Sequence, residues 1–187
     1  MDIRKEALTA RQPVVGDILI TAQEICERVA VLGTEIDAHY AGAERPLVLV
    51  CVLTGALVFT ADLARALTID VELHCVAVRS YGDATVSSGR VDIVHDATTA
   101  LGGRDVLLVE DVVDTGGTAH FLLDRFAAQR PRSLRLVAVF DKVSRRRRAV
   151  RVDWRGFEIA DHFVVGYGLD HAGRHRNLPD LHVLVEG

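Results

Sequence analysis

The sequence predicts an α/β fold, a mainly parallel central sheet flanked by helices. Three observations lead there. Residues 47–53 (LVLVCVL), 105–109 (DVLLV) and 134–140 (LRLVAVF) are apolar runs rich in β-branched residues, which mark strands buried on both faces. Between them lie stretches with amphipathic helical spacing. The second run ends in acids and a Thr-Gly-Gly-Thr turn that opens a helix, the strand–turn–helix order of a parallel α/β unit.

Taken in order, the chain begins with a charged lead-in over residues 1–16 that contains Pro13 and Gly16. Residues 14–19 are placed as an edge strand or a packed turn. Thr21-Ala22-Gln23-Glu24 reads as a capping box, opening a helix to about Tyr40 with Ile25, Val29, Leu32 and Ile36 on one face. Strand 47–53 leads into the Thr54-Gly55 turn. A helix over 56–67 is expected to bury Leu57, Val58, Leu63 and Leu67. A strand over 71–78 follows, then a polar loop, Ser80 to Gly89, of the kind that is functional or disordered. Residues 90–95 are placed as a flanking strand. The helix after Thr118 carries Ala119, Phe121, Leu122, Leu123 and Phe126. Beyond strand 134–140, the Arg145–Arg148 run reads as a solvated face. Residues 150–159 form a short β excursion around Trp154 and Gly156, and 181–185 a closing strand.

Composition narrows the class. The chain's 187 residues are enough for one domain with a real core. A formal net charge of −4 argues against general nucleic-acid binding. No segment reaches transmembrane length, and the first residues lack an apolar targeting core, so no membrane role is expected. Cys26, Cys51 and Cys75 show no metal-ligand spacing and read as reduced thiols, which points to the cytoplasm.

The chemistry concentrates in Asp105 to Thr118. Glu110 and Asp111 end a buried strand, Asp114 follows after two valines, and Thr115-Gly116-Gly117-Thr118 opens a helix. Such a strand delivers the chain to the carboxyl edge of a parallel sheet, where open α/β folds bind ligands. The glycines admit close backbone approach, and the helix N-terminus offers unpaired N–H groups to an anion. The acids suit sugar hydroxyls, a magnesium shell or proton transfer. No Gly-Lys-Ser/Thr follows, so this is not a Walker A loop, and it lacks the Rossmann glycine pattern.

Glu110-Asp111-Val112-Val113-Asp114-Thr115-Gly116-Gly117-Thr118 resembles the phosphoribosyl-pyrophosphate (PRPP) motif of type I phosphoribosyltransferases. Together with Leu53-Thr54-Gly55, Ser80-Tyr81-Gly82, Asp141-Lys142 and Phe163-Val164-Val165-Gly166-Tyr167-Gly168-Leu169-Asp170, in this order, the chain is similar to the hypoxanthine(-guanine) phosphoribosyltransferases. The resemblance runs from about residue 14 to the end. It implies one type I phosphoribosyltransferase domain over 1–187, with a small hood from the N-terminal lead-in and about 143–187, and a flexible lid at about 80–90. It further implies Mg²⁺-dependent transfer from PRPP to N9 of a 6-oxopurine, giving IMP or GMP and pyrophosphate.

The resemblance also implies roles. Residues 115–118 cradle the 5′-phosphate. Glu110 and Asp111 meet the ribose hydroxyls, directly or through Mg²⁺. Asp114 is the general acid/base at purine N7. Lys142 bonds the 6-oxo group, Phe163 stacks on the base, and the Val164 carbonyl accepts from the purine edge. Asp170 lies at the purine site and ligates a second Mg²⁺. Leu53, Thr54, Gly55 and Arg176 bind pyrophosphate, and Ser80 and Tyr81 form the lid stem. A homodimer or homotetramer is expected. The chain departs from the family pattern at Thr54, often basic, at Val143, usually proline, and at His171 and His175, commonly aromatic. A xanthine-preferring enzyme and a non-catalytic PRPP- or nucleotide-binding regulator are the alternatives. Lys142 and the Phe163–Asp170 stretch disfavour an amino-purine or pyrimidine transferase.

Overall fold

The computed structural model describes residues 13–80, 91–95 and 100–185. The elements are β1 (Val14–Ile20), α1 (Ala22–Tyr40), β2 (Leu47–Leu53), α2 (Leu57–Ala66), β3 (Val71–Ser80), β4 (Val91–His95), β5 (Asp105–Val113), α3 (Gly117–Ala127), β6 (Ser133–Asp141), a 3-10 turn (Val143–Arg145), β7 (Trp154–Glu158), β8 (Val164–Val165) and β9 (Leu181–Val185). The larger sheet has the order β4-β3-β2-β5-β6-β7. Its strands β3, β2, β5, β6 and β7 run parallel, and β4 pairs antiparallel with β3. A smaller antiparallel sheet has the order β1-β9-β8.

The apolar runs are continuous because both sheet faces are covered. Leu47 and Leu49 of β2, Leu107 and Val109 of β5, and Val137 and Val139 of β6 pack in one core with α1 and α2. The alternate residues Val48, Val50, Val106, Leu108, Leu136 and Ala138 pack with Ala119, Leu122 and Phe126 of α3. Successive side chains point to opposite faces, so a strand covered twice has no polar position left. The capping box forms at α1, with Thr21 N–H donating to Glu24 and Glu24 N–H to Thr21.

Two expectations change. On α2 the buried face is Phe59, Thr60 and Leu63, continued by Ala56 and Leu67. These positions follow helical spacing, and Leu57 and Val58, one and two residues out of phase, are 47% and 36% exposed. The hood boundary is also different. Residues 154–158 are β7, a parallel edge strand of the larger sheet beside β6, so among the described residues the smaller sheet takes 14–20, 164–165 and 181–185. The glycine in the middle of β7 permits this: a Cβ at Gly156 would sit 2.3 Å from the Val139 carbonyl oxygen.

Candidate active site

Strand register brings distant motifs to one edge. β2 and β5 are neighbours with Cys51 opposite Val109, so the turn after Leu53 meets the acids that end β5. A Cβ on Gly55 would lie 1.6 Å from Asp111 Oδ2, so only glycine permits this approach. The Leu53–Thr54 peptide here is cis. Glu110 is buried, and burial, aided by the charge of Asp111, pushes its carboxyl well above the usual range. Burial also raises Asp111, against a 2.8 Å hydrogen bond from the Val112 N–H. Among the described residues neither acid has an ion-pair partner.

Beyond Asp114 the chain turns at Gly116, whose φ of +83° is left-handed, and enters α3 with no side-chain cap on its N–H groups. Residues 114–119 line a cavity of about 80 Å³ shared with Glu110. Behind it, Arg147 and Arg148 N–H both donate to the Thr115 carbonyl at 3.0 Å.

β5 and β6 are in register at Val113 and Asp141, which sets Lys142 beside Asp114. Lys142 is buried and donates from Nζ to the His162 carbonyl at 2.7 Å. Arg145 bridges two acids, with Nε 2.7 Å from Asp114 Oδ1 and Nη1 3.0 Å from Asp161 Oδ1. Phe163 stands 56% exposed, its ring edge-on to His171 at 5.4 Å between centroids. These groups, with Asp111, Val164 and Asp170, line a cavity of about 390 Å³. Val164 is buried and fixed by pairing with Val183.

The turn after β8 closes the third side. Gly166 and Leu169 exchange backbone hydrogen bonds at 3.1 and 3.0 Å, and Tyr167 Oη donates to Asp62 at 2.8 Å. Asp170 pairs with Arg176 Nη2 at 2.7 Å and accepts from Gly173 N–H at 2.7 Å. Arg176 Nη1 also donates to the Gly168 carbonyl at 2.7 Å.

The phosphoribosyl transferase domain family matches residues 17–172. The hypoxanthine-guanine phosphoribosyltransferase of Bacillus subtilis is 43% identical over 170 residues, covering 91% of this chain and 93% of that protein. This chain belongs to the hypoxanthine-guanine phosphoribosyltransferases. The solved structure of the Bacillus anthracis enzyme, with HEPES in its active site, is similar at a TM-score of 0.87 and 36% identity, over 92% of this chain and 100% of that one. A solved Trypanosoma cruzi hypoxanthine phosphoribosyltransferase, studied for the role of its C-terminal region in oligomeric state and activity, is similar at 0.86 and 38% identity, over 91% of each chain. The chain is therefore a transferase of purine salvage, acting by phosphoribosyl transfer.

Of the residues singled out from the sequence, Asp111, Asp114, Lys142, Phe163, Val164 and Asp170 line the larger cavity, and Glu110 and Asp114 to Thr118 line the smaller one, which shares Asp114 with it; Gly55 lies against Asp111, and Arg176 is paired with Asp170. Ser80 ends β3, while Tyr81 and nearly all of the lid lie outside the described residues. His171 turns its ring to Phe163, and no group of three His, Cys, Asp or Glu fit to hold a metal occurs among the described residues. The Arg145–Arg148 run is not a uniform solvated face: Arg145 and Arg146 are half-buried and paired to acids. Arg145 and Asp161 are the site residues that sequence reasoning missed. The available signal was their proximity to Lys142 and Phe163, and the run of four arginines masked it.

Proposed function

We propose that this enzyme transfers the 5-phosphoribosyl group from PRPP to N9 of a 6-oxopurine, hypoxanthine and also guanine, releasing pyrophosphate and IMP or GMP. The reading is carried by a main-chain anion cradle with Glu110 beside it, adjoining through Asp114 a Lys142–Phe163 pocket that Asp111 also lines. The free N–H groups of residues 116–118 bind the 5′-phosphate. Glu110 and Asp111 accept from the ribose hydroxyls, and Thr54, Gly55 and Arg176 hold the pyrophosphate. Phe163 stacks on the base, Lys142 donates to its 6-oxo oxygen, and the Val164 carbonyl accepts from its edge.

In the reaction the N9 lone pair bonds to C1′ as the C1′–oxygen bond breaks, and pyrophosphate leaves with that electron pair. The N7 proton passes to Asp114, which must first part from Arg145. Lys142 exchanges the His162 carbonyl for the base. An amino group at purine C6 would leave that ammonium unpaired, which selects oxo over amino purines.

Mg²⁺ fits the donor set. Among the described residues, buried Glu110 and half-buried Asp111 have no ion-pair partner, and magnesium commonly takes one or two carboxylates while substrate oxygens and waters complete its shell. Asp170 would join a second ion on releasing Arg176. The ion would supply charge neutralisation at the departing pyrophosphate.

In this reading the enzyme is cytoplasmic, consistent with three free thiols, and forms a homodimer or homotetramer. Exposed Leu57 and Val58 support self-association. The one feature favouring a regulator without turnover is halved, because Arg145 and Arg146 are engaged with Asp114 and Asp141 and only Arg147 and Arg148 stay exposed. The test is turnover with PRPP and hypoxanthine, guanine or xanthine, with Mg²⁺ or with a chelator. Hypoxanthine and guanine are expected to react only with the metal. Preference for xanthine, or nucleotide binding without turnover, would overturn the assignment.

A further inference from the structure

The four arginines after Lys142 do three different things. Arg146 reaches back to the buried Asp141 carboxylate at the end of β6, and Arg155 approaches the other oxygen of that carboxylate at 3.6 Å. Thus tethered, the segment runs directly behind the Thr115–Gly116 peptide. The Arg147 and Arg148 N–H groups both donate to the Thr115 carbonyl, each at 3.0 Å. The contact is close enough that a Cβ on Gly116 would lie 2.8 Å from the Arg148 carbonyl oxygen.

The consequence follows from peptide geometry. Among the described residues the Leu53–Thr54 bond is the only cis peptide, so the Thr115–Gly116 peptide is trans. In a trans peptide the C=O and the following N–H point in opposite directions. Two donors that hold the Thr115 carbonyl toward the arginine segment therefore turn the Gly116 N–H the other way, into the cavity formed with residues 117–119. No side chain caps α3 to set that orientation instead.

We propose that the Arg145–Arg148 segment is the brace of the phosphate cradle, with Arg146 as a positioning residue anchored on Asp141 and the Arg147 and Arg148 amides fixing the loop peptide. The proposal rests on the reading of residues 115–118 as the 5′-phosphate site. It assigns to main chain what a basic run would otherwise be expected to do with side-chain charge.

The decisive variant is Arg147→Pro. Arg146 already has φ −59° and ψ 118°, the extended conformation required of a residue before proline. The substitution removes one N–H from the Thr115 carbonyl. Arg147→Ala, the comparator, removes the same exposed charge and keeps the N–H. Calorimetry gives the affinity of IMP and of inosine for each protein, and their ratio isolates the phosphate contribution. That ratio is expected to fall about tenfold in Arg147→Pro relative to Arg147→Ala, the scale of one well-placed hydrogen bond. It should fall further in Arg146→Met and recover partly in Arg146→Lys. An unchanged ratio in Arg147→Pro, or an equal loss for inosine and IMP, overturns the brace. Should Arg146→Met fail to give a cooperative melt, the proline variant still decides. A wild-type protein that binds IMP no better than inosine would instead refute the phosphate site itself.

Discussion

The cradle at residues 115–118 is made of main chain, whereas the Lys142–Phe163 side of the cleft is made of side chains already committed to one another. In the cradle the peptide is held from behind, and no side chain caps the N–H groups that open α3. On the other side Lys142 is bonded to the His162 carbonyl and Asp114 is paired with Arg145, which also holds Asp161. The first half is preorganised for a ligand, and the second must exchange partners to accept one. Preorganised groups convert more of their interaction into affinity, because no prior contact is lost. Phosphate should therefore supply the anchor, and the base side the discrimination.

The strongest way to break this contrast is Asp114→Asn. Asparagine keeps the shape and still accepts from Arg145 but cannot take the N7 proton. We expect kcat to fall by roughly 10²-fold or more, with IMP binding largely kept. Rapid-quench turnover and calorimetry on the same preparation check it. Normal kcat would leave Asp114 only as the partner of Arg145.

Lys142→Ala should act next. A hydrogen bond from a charged donor contributes about 1.5–3 kcal/mol. Here part of that is spent in releasing the His162 carbonyl, so the expected loss lies near the lower end. The KM for hypoxanthine should rise roughly tenfold, on the conversion of about 1.4 kcal/mol per decade, and the KM for PRPP should stay within about threefold. Equal losses for both substrates would make Lys142 a brace between β6 and the segment before β8, and the division between anchor and discriminator would fail.

How much of this was legible depended on whether the signal was local. The strands could be read because both faces of the sheet are covered, and the α1 cap because Thr21 and Glu24 are three residues apart. The acids and the glycines of the central turn sit side by side in sequence, so that motif was visible too. The fit of Gly55 against Asp111 was not, since it depends on β2 and β5 becoming neighbours. The purine-side roles entered only through family resemblance. Leu57 and Val58 were misplaced because an apolar pair at a helix start leaves its phase ambiguous until the sheet fixes it. The first half of the arginine run was misread for a related reason: like charges in a row imply solvent, as holds for Arg147 and Arg148, unless acids from elsewhere in the chain, here Asp114, Asp141 and Asp161, come to meet them.

The smallest expected effect concerns the acids that join the two halves. Glu110 is buried with its carboxyl pushed well above the ordinary 4.5, by burial first and Asp111 second. A folded-state value above the unfolded one means the native protein holds the proton more tightly. The resulting stability is present in full below the ordinary carboxyl value and is lost as pH rises through the folded one. The free enzyme's Tm should therefore decline as pH rises above the ordinary carboxyl value, and decline less in Glu110→Gln, where that proton is absent. Mg²⁺ with nucleotide should flatten the slope as well, because a cation at the carboxylates favours their charged form. If the slope were the same in wild type and Glu110→Gln, Glu110 would already be charged in the free enzyme. The cleft would then carry its charge before the donor arrives, and the cradle would no longer be the only half that is ready in advance.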